Sequence, residues 1–471
     1  MRVGLVWFRR DLRLADNAAL RAALDACDRV VPVFIHAPNE ETPWQPGAAS
    51  RWWLHHSLTA LDDDLKKRAG ALHVRRGASL RTLRALIRET GAQAVFWNRL
   101  YDPAIVARDR DVKAALLDDG VEAHSFGGAL LFEPWELATG QNTPYKVFTP
   151  YWRQARSKLE LRPPAPAPRK IESPRVAGGV SIGALKLLPK IPWDDGLLRA
   201  WTPGETGART TLRTFLRGAI ADYPTRRDIP AERGTSRLSA YLHFGEITPM
   251  QVAWAMHEAE HEHASAKRRE SGEAYLRELG WREFSHHLLY HFPESAGANL
   301  NPKFDRFAWA RTSPAQLAEW QRGRTGIPIV DAGLRELWAT GWMHNRVRML
   351  VASFFTKNLR QHWLDGARWF WDTLIDADLA NNTQGWQWTA GTGADAAPYF
   401  RIFNPVTQGE RFDPDGAYVR TWVRELRAYE GKSIHRPRDD PEKFAASGYP
   451  EPIVDLATTR DAALAAYAAC K

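Results

Sequence analysis

Thiols are nearly absent from this chain: Cys27 and Cys470 are the two cysteines in 471 residues. They show no metal or redox spacing, which excludes a disulfide framework and a cysteine zinc site and fits a reducing compartment. Long apolar runs are missing as well. The run Val3–Phe8 meets Arg9, Arg10 and Arg13 at once and is too short for the apolar centre of a signal peptide. No uncharged stretch approaches the roughly 18 residues that span a bilayer, so a cytoplasmic protein with no membrane partner is expected. There are no repeats and no long disordered tail. No G-x-G-x-x-G follows the first apolar run, so no dinucleotide is expected there.

Tryptophan and basic side chains are plentiful instead. The 21 Trp can fill cores, but they can also stack on bases and flat cofactors. Lys plus Arg number 64 against 55 Asp plus Glu, a net charge of +9. That excess suits solubility, and equally a polyanion, because a basic face gains affinity by releasing counterions. The length allows two or three domains with real cores.

The first third alternates. Short β-rich runs at Val3–Phe8, Val30–Ile35, Leu72–Val74 and Ala94–Trp97 are separated by helical patterns at Asn17–Ala26, with Asp16 as expected N-cap, and Arg51–Arg68. This order predicts an α/β domain with a doubly wound parallel sheet over residues 1–130. A Pro-, Gly- and Ala-rich stretch around Arg162 marks a linker, 131–194. Beyond it the β signals fade. Helical patterns at Ser271–His291, Ile327–Leu359 and His362–Ile375, with Pro249 as a first helical residue after Thr248, predict an all-helical domain over 195–471.

Four segments concentrate chemistry. Asp376–Phe403 holds three carboxylates, the amides Asn381 and Asn382, the indoles Trp386 and Trp388, and many small residues that let backbone approach a ligand. Gly234–Pro249 offers the hydroxyls of Thr235, Ser236 and Ser239 around Arg237 at an expected helix start, which is either a phosphate site or an ordinary cap. In Tyr275–Pro293 a helix puts Glu278, Trp281, Arg282 and Ser285 on one stripe, as a surface ion pair or as the wall of a polar aromatic pocket. In Thr340–Phe355, Trp342, Asn345 and Met349 share a stripe beside Arg346 and Arg348, with Asn345 expected in the interior and in need of a partner. A fifth pattern, His257-Glu258-Ala259-Glu260-His261, spells H-E-x-x-H. Its surroundings are charged all round, so it reads as an exposed helix and no metal is expected.

The runs VWFRRDLRLADNAAL, GTSRLS, WREF, TGWMHNR, DADLANNTQGWQW and APYFRIFNP occur in one order along nearly the whole chain. Together they resemble the photolyase/cryptochrome family, and within it the class III cyclobutane pyrimidine dimer photolyases. The resemblance implies a light-driven, monomeric DNA-repair lyase carrying reduced, non-covalent FAD and acting on UV-damaged DNA. It implies that Tyr223, Thr235, Ser236, Arg237, Leu238 and Ser239 hold the FAD phosphates and ribose. Tyr275, Arg282, Trp342, Asn345, Arg348, Asp376, Ala377 and Asp378 complete the cofactor set, with Asn382 facing flavin N5. Trp386, Trp363 and Trp309 correspond to an electron-carrying indole chain. Glu278, Trp281, Asn345, Arg346, Met349, Trp388 and Gln408 are implied to line the dimer cavity, and Arg227 and Arg401 to meet DNA phosphates.

Two relatives in function compete. Plant cryptochromes carry Asp where this chain has Asn382, and an amide cannot hand over a proton as an acid can. A (6-4) photolyase would show a His pair where Asn345 and Met349 stand. An antenna chromophore is also implied, with methenyltetrahydrofolate favoured over a deazaflavin. The Asn-Glu pair that holds a folate in some members aligns with Ala104 and Ile105 here.

Overall fold

The computed structural model describes residues 1–174, 176–262, 265–311, 313–395 and 400–470, with Glu262 as backbone only. Of the run APYFRIFNP, Ala397, Pro398 and Tyr399 lie outside the described residues. The chain divides into two compact units. One comprises Met1–Gly218 with Arg237–Pro293, the other Ala219–Ser236 with Glu294–Lys471. Residues 131–194 thus count with the first unit, and they include the helix Phe148–Lys158.

The first unit contains a five-stranded sheet of order β3-β2-β1-β4-β5, parallel throughout. Its strands are β1 (Val3–Phe8), β2 (Arg29–His36), β3 (His73–Arg76), β4 (Ala94–Asn98) and β5 (Glu122–Phe126). Helices cover both faces, so the central strands are continuous apolar runs. Leu5, Trp7, Val31, Val33, Val95 and Trp97 pack with Leu83, Leu86, Val112 and Leu116 in one core cluster. β5 escapes the sequence pattern because its EAHSF buries only Ala123 at the sheet edge. The first helix is Ala18–Ala26, and its cap is Asn17 rather than Asp16: Asn17 Oδ1 accepts the Leu20 N–H at 3.0 Å. Asp16 adopts a φ of 50° and accepts from Arg162 Nη1 at 2.7 Å and Thr248 Oγ1 at 3.2 Å, so its carboxylate is spoken for.

Thr248 and Gln251 cap the helix Pro249–Glu262 reciprocally, Thr248 Oγ1 accepting the Gln251 N–H and Gln251 Oε1 the Thr248 N–H. This helix is not exposed all round, since Val252, Ala253 and Met256 are buried. His257 and His261 meet through their Nε2 atoms at 3.2 Å. Among the described residues no cluster of three or more potential ligands could hold a metal ion. The helix Ala266–His291 is capped by Ser265 and starts five residues before the expected Ser271.

In the second unit the expected helix Ile327–Leu359 is broken. Pro328–Thr340 ends at Gly341, whose φ of 67° favours glycine and whose N–H reaches Leu337 O at 2.8 Å. A new helix, Asn345–Ser353, starts after His344, whose Nδ1 accepts the Arg346 N–H, and it widens into a π-type turn at Phe354–Asn358. The apolar periodicity continues across the break, so spacing alone cannot see it. The helices Trp363–Thr373, Leu379–Ala390 and Pro405–Phe412 follow. Among the described residues no helix is long and apolar enough to cross a membrane.

Candidate functional site

In the second unit, charge and amides gather at the start of the Leu379–Ala390 helix. Arg348 Nη2 donates to both oxygens of Asp376, at 3.1 and 2.8 Å, while its Nε donates to Met343 O at 2.7 Å. The Asp376 side chain is 3% exposed and its guanidinium partner 25%. Asp378 is the N-cap, its Oδ1 accepting the Asn381 N–H at 2.9 Å and Asn381 Nδ2 at 2.7 Å. Ala377 is buried between the two acids. Asn382 is buried one turn on, its Nδ2 donating to Ala367 O at 2.9 Å.

Trp386 lies one further turn along. Phe370 and Phe355 surround its indole at ring-centre distances of 5.0 and 5.8 Å. Gly366 is required there: a Cβ would fall 2.2 Å from the indole edge. Its Nε1 is buried without a hydrogen-bond partner among the described residues. Trp363 is fully buried, with Nε1 donating to Asn299 Oδ1 at 2.8 Å. Trp309 is half-buried, and the His362 ring lies 5.0 Å from it and 5.7 Å from Trp363. The structure therefore joins two of the three expected relay indoles through an imidazole that the sequence reading did not single out.

Several further candidates in this unit behave differently from expectation or gain partners. Asn345 is exposed at the first turn of its helix, not interior, and Trp342 precedes the N-cap, so the two do not share a helical stripe. Trp342 packs edge-on to His344 at 6.1 Å. Burial pushes the His344 imidazole down to about 4. Arg346 pairs with Asp228 at 2.8 Å and lies over the Phe412 ring. Met349 is half-buried. Trp388 is half-buried with Nε1 donating to Asp395 O at 3.1 Å. Gln408 is half-buried and Arg401 exposed. Tyr223 is buried, with the Arg227 guanidinium 5.2 Å above its ring, and Thr235 and Ser236 are half-buried.

The first unit holds the rest. Arg237 has a φ of 54° and sits over Trp201 at 4.8 Å. Leu238 is buried, and Ser239 is exposed at the start of a five-residue helix, Ser239–His243. The hydroxyls of Thr235 and Ser236 thus precede the helix instead of standing on it. Tyr275 is buried against Phe215 at 4.7 Å. On Ala266–His291, Glu278, Trp281 and Arg282 are half-buried. Trp281 stacks face to face on Phe148, ring centres 3.6 Å apart at 10°. Arg282 Nη1 donates to Ala129 O at 2.9 Å. Beside it Glu283 accepts the Leu131 N–H at 2.7 Å, and burial raises its carboxyl to about 7.

In the second unit alone, this donor set suits a large polar-edged planar cofactor. It offers a fixed guanidinium–carboxylate pair, a second acid at a helix cap, a buried carboxamide and an indole whose N–H has no acceptor among the described residues. Small residues, Gly366, Ala367, Ala377 and Ala380, keep the backbone close.

Comparison with known proteins agrees. Residues 4–169 match the DNA photolyase family description and residues 275–469 the FAD binding domain of DNA photolyase. A deoxyribodipyrimidine photo-lyase of Agrobacterium fabrum is 47% identical over 476 residues, 99% of this chain and 98% of that one. The chain belongs to the photolyase/cryptochrome family. A solved class III photolyase from Agrobacterium tumefaciens superposes with a TM-score of 0.95 at 47% identity, covering 100% of this chain and 98% of its own. Cryptochrome-1 of Arabidopsis thaliana is 38% identical over 96% of this chain and 68% of its own length. Both functional branches of the family are thus among its relatives.

Proposed function

We propose that the chain is a light-driven lyase that splits cyclobutane pyrimidine dimers in UV-damaged DNA. The observation that carries this reading is the full-length 47% identity to a deoxyribodipyrimidine photo-lyase. Reduced FAD, when bound, supplies the photoexcited electron that opens the dimer. Arg348 and Asp376 hold a polar edge of that group, Asp378 a second, and Asn382 offers an amide that keeps its proton. Tyr223, Thr235, Ser236 and the run Arg237–Ser239 hold the phosphates and ribose, with Tyr275, Arg282, Trp342, Asn345 and Ala377 completing the set.

The remaining residues present the lesion. A dimer leaves the duplex at a cost of a few kcal/mol, lower for a damaged base pair. Trp281 and Trp388 stack on the pyrimidines at ~1–3 kcal/mol per base. One face of Trp281 is already covered by Phe148, so a base takes the other. Glu278 holds a pyrimidine edge, and Asn345, Arg346, Met349 and Gln408 line the cavity. Arg227 and Arg401 meet phosphates. Trp309, Trp363 and Trp386 pass electrons inward from the surface, and the half-buried Trp309 is suited to be the entry. The helical catalytic domain is 195–471, after an antenna-type domain 1–130 and a linker 131–194. The protein works as a cytoplasmic monomer with a methenyltetrahydrofolate antenna.

The test is blue-light repair of a defined thymine dimer by reduced protein, beside a (6-4) lesion. Dimer repair alone is expected. Repair of the (6-4) lesion alone overturns the substrate. Repair of neither, with normal flavin photochemistry, moves the chain to a photoreceptor of the cryptochrome kind.

A further inference from the structure

Lys357 is 1% exposed in the π-type turn Phe354–Asn358. Burial pushes its ammonium well below the ordinary lysine range, and among the described residues no carboxylate offsets this. Its Nζ donates to Ala390 O at 2.5 Å, the last residue of the Leu379–Ala390 helix. The same Nζ lies 3.2 Å from the centre of the Phe400 ring. Between them, a Cβ on Gly391 would sit 3.6 Å from Lys357 Nζ and 3.6 Å from the Phe400 ring edge. One amino group thus touches both ends of the segment that joins the helix to Phe400.

Lesion-binding candidates flank that segment. Asp395 O accepts the Trp388 indole N–H, and Arg401 directly follows Phe400. Phe400 itself is stacked on Tyr467 at 4.4 Å and 7°. A buried cation without an anion is costly, and methionine fills nearly the same volume without that cost. What methionine cannot do is donate to the helix-terminal carbonyl or point N–H groups at the ring face. π-type turns inside helices mark functional positions more often than chance.

We propose that Lys357 is a positioning residue for lesion recognition: it ties Ala390 to Phe400 and thereby fixes the aim of Trp388 and Arg401. The inference rests on the proposed roles of Trp388 and Arg401 at the DNA.

The test uses the full-length holoprotein with Lys357→Met, Phe400→Leu, Trp388→Phe and Arg401→Ala. Affinity for dimer-containing duplex, repair per photon on saturating substrate, and flavin content are each measured. Lys357→Met is expected to weaken dimer binding by about tenfold, the worth of one buried hydrogen bond, with flavin content unchanged and repair per photon on bound substrate within about twofold of wild type. Phe400→Leu removes the other anchor and is expected to weaken binding in the same way. A parallel loss of flavin and binding in both anchor variants makes Lys357 a residue of the fold alone and overturns the proposal. Wild-type binding by Lys357→Met, beside weakened Trp388→Phe and Arg401→Ala, overturns it too. If Trp388→Phe and Arg401→Ala both bind as wild type, the underlying placement fails first, and the clamp with it.

Discussion

Two buried acids of the first unit and two ion pairs of the second hold charge differently. In the first, Glu246 is fully buried with no cation paired to it among the described residues, held by the Gly204 N–H at 2.6 Å and Trp53 Nε1 at 3.2 Å, and burial raises it to about 8. Glu283 nearby in kind accepts two backbone N–H groups and rises to about 7. In the second, Arg348–Asp376 and Arg346–Asp228 are cation–anion pairs, and the Lys357 amino group sits against a carbonyl and a ring. Glu246 and Glu283 act as hydrogen-bond acceptors that tolerate neutralisation, which is what a scaffold needs, while other acids of the same unit, such as Asp109 against Arg9, are paired. The pairs of the second unit hold fixed charge, which is what recognition of a polar ligand needs.

The sharpest way to break that contrast is Asp376→Asn. It leaves Arg348 partly buried opposite a neutral amide, and breaking a buried pair from one side costs about 3–5 kcal/mol, toward the lower end here because the guanidinium keeps some water. Flavin content should fall several-fold, and urea unfolding should move to lower concentration. Stoichiometric flavin in this variant would remove Asp376 from the cofactor set.

The acids of the first unit should instead reveal themselves through pH. Glu246 and Glu283 bind protons more tightly folded than unfolded. Their contribution is therefore fully present below the ordinary carboxyl value of 4.5 and is lost as pH rises, through about 7 for Glu283 and about 8 for Glu246. Each can lower stability by at most about 1.4 kcal/mol per pH unit inside its window. His287 and His344 work the other way. Both are held near 4 by burial, so their contribution is lost as pH falls from 6.5 toward 4. Unfolding midpoints measured from pH 5 to 9 should pass a maximum and decline on the alkaline side, and Glu246→Gln should flatten that decline. A wild-type curve flat from pH 6 to 9 would show that water reaches Glu246 more freely than its burial indicates.

Glu278 tests where recognition ends and cofactor binding begins. Glu278→Ala should weaken dimer binding and lower repair yield by the ~1–3 kcal/mol of a lost polar partner. Flavin content should stay near wild type, because the cofactor's polar edges are assigned elsewhere. Loss of flavin in step with affinity would move Glu278 into the cofactor set.

How much of this was legible depends on what each residue touches. β1, β2 and β4 were readable because strands buried on both faces are unbroken apolar words. β5 was not, since an edge strand with one buried residue has no such word. The motif residues were readable by resemblance, but their partners were not. Asp376 meets Arg348 across 28 positions and Trp363 meets Asn299 across 64, separations that no local pattern encodes. Asn345 is inside only if its stripe is drawn from Trp342, which precedes the N-cap His344, whereas the helix in fact starts at Asn345. Nothing in the stretch Thr356-Lys357-Asn358 marks Lys357 in sequence. Only the widened turn brings its amino group to Ala390.

The smallest expected effect is the most specific. Arg227 lies over Tyr223 and is half-buried, so its charge is placed but not neutralised by burial. A phosphate contact releases counterions whatever the base sequence, and each one contributes about 0.9 to the log–log slope of affinity against salt on duplex DNA. If about four phosphates are engaged, the wild-type slope should be near −3.6. Arg227→Ala should flatten it by about one unit and weaken damaged and undamaged duplex alike, whereas Glu278→Ala should leave the slope untouched and weaken damaged DNA alone. Fluorescence anisotropy across salt concentrations with both duplexes separates the two. A slope unchanged in Arg227→Ala would take Arg227 out of the phosphate contacts and leave Arg401 as the remaining candidate.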